Sequence, residues 1–433
     1  MNTETTFQEN VNSETTSKTI DSGTLLQPVE QRKRIVILDV LRGFALLGIL
    51  MVNMQFFNVP FTIIMGEGRL WTDPVNSGAN WLIDFFFHGK FYVLFSLLFG
   101  MGFYLFLQKA DEAGRAIVTI FRRRLLILLA IGVLHVLLLW YGDILVIYAL
   151  FGFVLVWFRR KSNRTVLIWA GVFMLLPVFF TALIAGFINI MLSIPEAAAE
   201  IQAAFAGQEA QLSELTRQAL LTYAQGSFPE IISMRLTEYS FILGGILFHF
   251  PFVMGMFLVG MFFGRKGYFS DIGINTGFFK KLLFISLPLA LIANYFLAQY
   301  IPRTSQTMPD LELIIVTAGF AIGGPSMTFV YISLIALCIH RGWFLWLSER
   351  IAVTGRMALT NYLTQSIIAT TIFYSYGLGL YGQVNVCQGI ILTVCIYIIQ
   401  IIWSQYWLKY YRFGPFEWLW RSLTYWKMQS MKK

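Results

Sequence analysis

Apolar residues run along this chain in blocks of about twenty, the length a helix needs to cross a hydrocarbon core about 30 Å thick. The blocks cover approximately residues 35–57, 91–108, 121–141, 143–158, 165–193, 239–263, 280–299, 313–339, 351–378 and 386–407. They predict an all-α, polytopic membrane helix bundle of about ten transmembrane helices. With the N-terminus in the cytoplasm, the basic clusters at Arg32–Arg34, Lys109–Arg124, Arg159–Arg164, Arg265–Lys281 and Arg341–Arg350, and the tail from Lys409, all fall on the cytoplasmic side. The opposite face receives only scattered cations, among them Arg69, Arg217, Arg235 and Arg303. That asymmetry satisfies the positive-inside rule at every loop and places both termini in the cytoplasm.

Three stretches depart from the pattern. Residues 1–31 are rich in Thr and Ser, lack an apolar centre and read as a disordered cytoplasmic tail rather than a signal peptide. The outer loop at 194–235 carries Ala, Glu, Gln and Leu at helical spacing, which predicts one or two amphipathic helices over the outer mouth, as a lid, a homodimer contact or a solvated connector. Residues 412–427 alternate Trp and Tyr with Arg and Glu, as expected of an interfacial helix, and 428–433 form a short cytoplasmic tail. Residues 32–427 thus make one transmembrane domain.

Composition agrees. With 57% hydrophobic, 17% aromatic and 13% charged residues, the chain has too little polar material to clothe a soluble globule of its size. Its +9 net charge sits in short clusters between apolar blocks and forms no basic face interleaved with aromatics, so no nucleic-acid partner is expected. The three cysteines, Cys338, Cys387 and Cys395, have no metal-ligand spacing, and no metal is expected.

Ionisable groups inside spans are rare and mark interior pairs, cavities or ion paths. In "RIVILDVLRGFALLGILMVNMQFF", Asp39 and Arg42 share a helical face. Arg42 either locks the helices through a structural ion pair with Asp39 or grips a phosphate near the cytoplasmic side. Asn53, about 21 Å further along, belongs to the outer end. In "WLIDFFFHGKFYVLFSLLFGMGF", Asp84 and His88 stand four residues apart, Gly89 permits a bend and Lys90 is placed to snorkel to the outer interface. In "IGVLHVLLLWYGDILVIYALFG", His135 lies about 17 Å beyond Arg124, and the tight turn brings Asp143 back towards it. A carboxylate there fixes the histidine tautomer. His135 therefore serves either proton transfer or an interhelical hydrogen bond. His249 precedes Pro251, which frees backbone carbonyls. In "GRMALTNYLTQS", Arg356, Thr360, Asn361, Thr364 and Gln365 form a polar stripe that suits interhelical bonding or a substrate passage. The chain carries no Walker A loop, no GxGxxG after a strand, no HExxH and no GxSxG, so ATP-driven pumping, nicotinamide redox chemistry, zinc proteolysis and serine-hydrolase chemistry lack support.

The blocks "LDVLRGFALLGILMVN", "GKFYVLFSLLFGMGF", "IGVLHVLLLWYGDILVIYALFG", "GRMALTNYLTQS" and "FGPFEWLWRSLTY", in that order from residue 34 to 427, resemble the YeiB-like family of bacterial membrane proteins, a domain of unknown function. The first block also resembles the opening span of transmembrane acyltransferases such as heparan glucosaminide acetyltransferase. That resemblance implies transfer of an acyl group from cytoplasmic acyl-CoA, the co-substrate, to a small-molecule, glycan or lipid-linked acceptor across the bacterial cytoplasmic membrane, with membrane lipids as surroundings. It matches Asn53 to the asparagine near the far end of the family's span. The family's histidine follows in the next loop, whereas residues 54–80 here hold none and His88 is the first. The expected machinery is His135 as base, oriented by Asp143 or assisted by His88, with Asn53 on the developing oxyanion. Arg42, Arg356, Asn361 and Gln365 are the candidates for holding the co-substrate. A proton-coupled transporter or exporter of a small solute uses the same buried groups differently.

Overall fold

The computed structural model describes residues 35–65, 69–111, 117–246, 251–303 and 308–433. The polar N-terminal tail and His249 lie outside the described residues. Among those described there is no β-strand, and one isolated bridge joins Tyr411 to Lys432. The chain is a polytopic helical bundle in which six helical stretches are long and apolar enough to cross a membrane.

The helices follow in chain order. α1 (Val36–Asn58) and the short α2 (Phe61–Met65) lead to α3 (Pro74–Phe86), α4 (Phe91–Asp111) and the hairpin α5 (Ile117–Leu138) and α6 (Leu145–Leu155). Next come α7 (Asn163–Leu192), α8 (Pro195–Gln225), α9 (Phe228–Gly244), α10 (Pro251–Lys266) and α11 (Thr276–Tyr300). α12 (Leu311–Ala318) and α13 (Gly324–His340) are joined by a π-helical turn at Gly319–Gly323. The chain closes with α14 (Leu345–Arg356), α15 (Ala358–Phe373), α16 (Val386–Tyr410) and α17 (Pro415–Tyr425). Starts are set by local chemistry. Asp73 caps α3 by accepting from the Val75 and Asn76 backbone, Ser162 caps α7, and Asn385 with Gln388 forms a reciprocal capping box on α16. The Asn76 side chain and backbone amides hold the Asp73 carboxyl below its ordinary range.

Packing is closest where glycine lets backbones touch. A Cβ on Gly355 of α14 would collide with the Asp39 carbonyl of α1, and one on Gly43 would collide with Ile351. Gly100 of α4 and Gly260 of α10 seat against the Phe257 and Leu97 carbonyls in the same way. α1 is thereby held at the centre, with Tyr397 of α16 donating to its Gly43 carbonyl at 2.7 Å.

Several spans are interrupted, which the apolar blocks did not reveal. The predicted crossing at 91–108 begins earlier, with α3, and breaks at residues 87–90. Phe91 packs against Phe44 and Gly48, halfway along the 23-residue α1, and His88 packs against Phe56 near its far end, so the break lies beside the far half of α1. Phe320 of the π-helical turn packs on Gly89, placing a second interruption beside the first. The block at 239–263 divides into α9 and α10, and the block at 351–378 divides at Met357 and ends at Phe373. Lys90 does not snorkel. It is fully buried, because its ammonium donates to the Asp84 carbonyl at 2.6 Å and the His88 carbonyl at 2.7 Å, acceptors that the broken helix would otherwise leave unpaired.

The predicted outer loop is the 31-residue α8, tied to α2 by Thr62 and Thr216 at 2.5 Å and to α9 by Tyr223 donating to Glu238 at 2.6 Å. At the cation-rich face, Trp420 of α17 donates to the Arg124 carbonyl at 2.9 Å and stacks under its guanidinium. Glu417 of α17 accepts from the Leu359 and Thr360 amides, capping α15.

Gly355→Val is expected to cost about 1–3 kcal/mol or more through overpacking. Gly186→Val, where nothing lies within reach of a Cβ, should fall within about 0.5 kcal/mol of the parent. Unfolding midpoints of the two variants in one detergent check this.

Candidate functional site: two histidine–carboxylate pairs

The chain positions two histidine–carboxylate pairs on either side of α1, one sealed and one open. The sealed pair comes from the α5–α6 hairpin. Gly132 lets the Val146 backbone approach, and the Asp143 carboxylate accepts from the Val146 amide at 2.7 Å, capping α6. Its other oxygen lies 2.9 Å from His135 Nδ1, within ionic range but poorly aligned for a direct hydrogen bond. His135 Nε2 faces Ser366 Oγ of α15 at 2.8 Å. Trp140 and Tyr362 stack around the imidazole, and both side chains of the pair are 0% exposed. Hydroxyl, imidazole and carboxylate are therefore in series across two helices, shut away from solvent. Ser366 was not singled out from the sequence. It stands one residue after Gln365 in the polar stripe, and only the fold shows which face of that stripe meets His135.

The open pair sits at the α3–α4 break. One turn of helix aligns Asp84 and His88, and Asp84 Oδ1 lies 3.1 Å from His88 Nδ1. Arg69, from the segment preceding α3, clamps the second carboxylate oxygen at 2.5 Å. The carboxylate is 3% exposed and the imidazole 23%, so the anion is held inside while the base reaches a cleft. That cleft has a volume of about 920 Å³ including the open space at its mouth, and lies between the far end of α1, residues Val59, Ile63 and Arg69 to Trp71, α3 and the start of α16. Gln55, Asn58 and Asn80 line it with Arg69, Asp84 and His88. Gln55 donates to Asn80 Oδ1 at 3.0 Å and Asn58 to the Val384 carbonyl at 2.5 Å. Among the described residues no hydrogen bond engages Asn80 Nδ2, an amide donor on the cleft wall. Sequence reasoning passed over Arg69, Asn58 and Asn80 because each lies in a polar stretch outside the apolar blocks or at their edge.

The other predicted residues are distributed as follows. Asp39 and Arg42 form an ion pair at 2.6 Å near the cation-rich end of α1. Asn361 donates to the Thr354 carbonyl and to Ser404, both at 3.0 Å, while Gln365 donates to Gln400 at 2.9 Å. These bonds tie α15 to α16 and to the end of α14. Arg356 ends α14, away from the open cleft. Asn53 is half-buried, and its neighbours Val52, Met54, Gln55 and Phe56, not Asn53 itself, line the cleft. The polar groups thus do not share one hollow: His88 and Asp84 are brought to open space, His135 and Asp143 to a closed interface. Among the described residues no group of three or more His, Cys, Asp or Glu is arranged to hold a metal.

Comparison with known proteins gives relatives along nearly the whole chain. The chain is 32% identical over 426 residues to the uncharacterized protein YxaH of Bacillus subtilis, covering 94% of this chain and 98% of that one. It is 29% identical to the uncharacterized protein YeiB of Escherichia coli, covering 90% and 96%. An uncharacterized 39.9 kDa protein of Bacillus acidopullulyticus is also 29% identical, covering 92% and 96%. The family model described as a protein of unknown function (DUF418) matches residues 263–427. No solved structure matches.

Lys90→Met removes the donor to two buried carbonyls, and each acceptor left unpaired costs about 1–3 kcal/mol. The variant should unfold several degrees below the parent in a detergent thermal scan. An unchanged midpoint would show that the break is held by other groups.

Proposed function

The chain belongs to the DUF418 family, and on that premise we propose that it is a bacterial cytoplasmic-membrane acyltransferase whose base is His88 in the outward cleft. The observation that carries this reading is the Asp84–His88 contact at 3.1 Å on the wall of an open cleft at the far end of α1. Asp84 and Arg69 orient the imidazole through Nδ1 and leave Nε2 to the cleft. The acyl donor is a cytoplasmic acyl thioester, acyl-CoA by the resemblance.

In the reaction, Nε2 takes the proton of an acceptor hydroxyl as its oxygen attacks the thioester carbonyl. The C–O bond forms, the C–S bond breaks, and the leaving thiolate recovers the proton from the imidazolium. Asn80 Nδ2 is the donor at hand for the developing oxyanion, the role the sequence suggested for Asn53. The low-dielectric walls strengthen those bonds and limit thioester hydrolysis. A proton-coupled transporter is the second reading, favoured by the two interruptions that meet at His88 and Gly89.

Purified protein in nanodiscs, given radiolabelled acetyl-CoA and a panel of sugar and lipid acceptors, distinguishes the two. Transfer that falls about 10²- to 10⁴-fold in His88→Ala, and less in Asp84→Asn, supports the enzyme. Loss in His135→Ala with His88→Ala unaffected moves the base to the sealed pair. Absence of both transfer and CoA binding, together with solute flux in liposomes, establishes transport instead.

A further inference from the structure

Beside the open cleft lies a second hollow of about 530 Å³, with Arg69, Asn80 and Pro302 in the walls of both. It opens between the first turns of α3 and the end of α11, where Arg303 follows the helix. Its polar lining is unbalanced. Arg69, Arg303 and the Trp81 indole are donors only, Ser77, Asn80 and Gln299 can both donate and accept, and among the described residues no carboxylate lines this hollow. Two of these donor atoms, Arg69 Nη1 and Trp81 Nε1, are buried without an acceptor among the described residues. The nearby acid Asp73 is committed to capping α3, and Asp84 spends its carboxylate on Arg69 and His88. Buried donors lacking acceptors destabilise a fold unless something else supplies the oxygen. Two guanidiniums flanking an indole N–H suit an oxyanion with several acceptor oxygens.

We propose that this vestibule binds a phosphate-bearing head group, with Arg303 at its rim and Arg69 and Trp81 at its floor. Resting on the acyltransfer reading, it follows that the acceptor is a phosphorylated glycan or lipid, whose anion docks here while its hydroxyl reaches His88 in the adjoining cleft. Arg69 is then shared: one nitrogen holds Asp84 and the other turns to the incoming phosphate.

The test is direct binding by the full chain in phosphatidylcholine nanodiscs, with glucose 1-phosphate and glucose as probes. Saturable binding of the phosphate form alone, weakened roughly ten- to a hundredfold in Arg303→Gln and also weakened in Trp81→Phe, supports the inference and a soluble source. Thermal stabilisation by added phosphatidylglycerol, abolished in Arg303→Gln, supports it with a lipid source. Equal binding of glucose and glucose 1-phosphate, or an anion response unchanged in Arg303→Gln, overturns it; so does the lack of any response to either anion. Arg303 is exposed, so its variant should fold, and the unliganded unfolding midpoint verifies that. The parent separates the two proposals, since phosphate binding without any acyl transfer would leave the vestibule standing and remove the enzyme.

Discussion

The buried ammonium of Lys90 holds the interrupted crossing together. A helix broken inside a bundle leaves carbonyls that need partners, and one buried without a partner costs several kcal/mol. Burying a cation also costs several kcal/mol. The two penalties offset each other because the Lys90 side chain folds back onto the carbonyls of Asp84 and His88 while the Asp84 carboxylate lies close by. Gly89, at φ +85°, supplies the left-handed residue that lets the chain turn between them. Thr328 of α13 accepts the arrangement by donating to the Lys90 carbonyl at 2.9 Å.

From that break follows the difference between the two histidines. His88 is carried to the end of a helix whose next turn is missing, so its ring faces space that an unbroken helix would have filled. His135 sits in an unbroken helix against a tight hairpin, and its neighbours close over it. Ser366, His135 and Asp143 keep the order of a nucleophile, base and orienting acid, yet they are closed off between α5, α6 and α15, with the Ser366–His135 and Val146–Asp143 hydrogen bonds fastening those helices. The same chemical types thus serve cohesion in one place and stand ready for chemistry in the other, and access alone separates them.

Charge is arranged on the same principle. At the cation-rich face, arginines find carbonyls and aromatic faces, as Arg265 does with the Phe158, Arg159 and Lys161 carbonyls and Arg124 with Trp420. At the opposite face, Arg69 meets one carboxylate and keeps a nitrogen in reserve. A surplus of donors beside an oriented base is a reason to look there for an anionic substrate.

The sequence by itself determined the helical class, the positions of the apolar blocks and the approach of Asp143 to His135. These are local or nearly local: a helix needs only its own residues to satisfy its backbone, and a tight hairpin leaves Asp143 little choice of neighbour. Tertiary structure alone decided that α3 and α4 meet as one interrupted helix, that Lys90 turns inward, and that Asp84 and His88, rather than His135, open onto space. The segment "PVNSGANWLIDFF" is short and polar, and it joins the bundle by packing against α11 and α16 while Gln55 of α1 donates to its Asn80. Whether a buried polar group faces a partner or a hollow depends on what other helices bring to that depth, and helical periodicity fixes direction around one axis only.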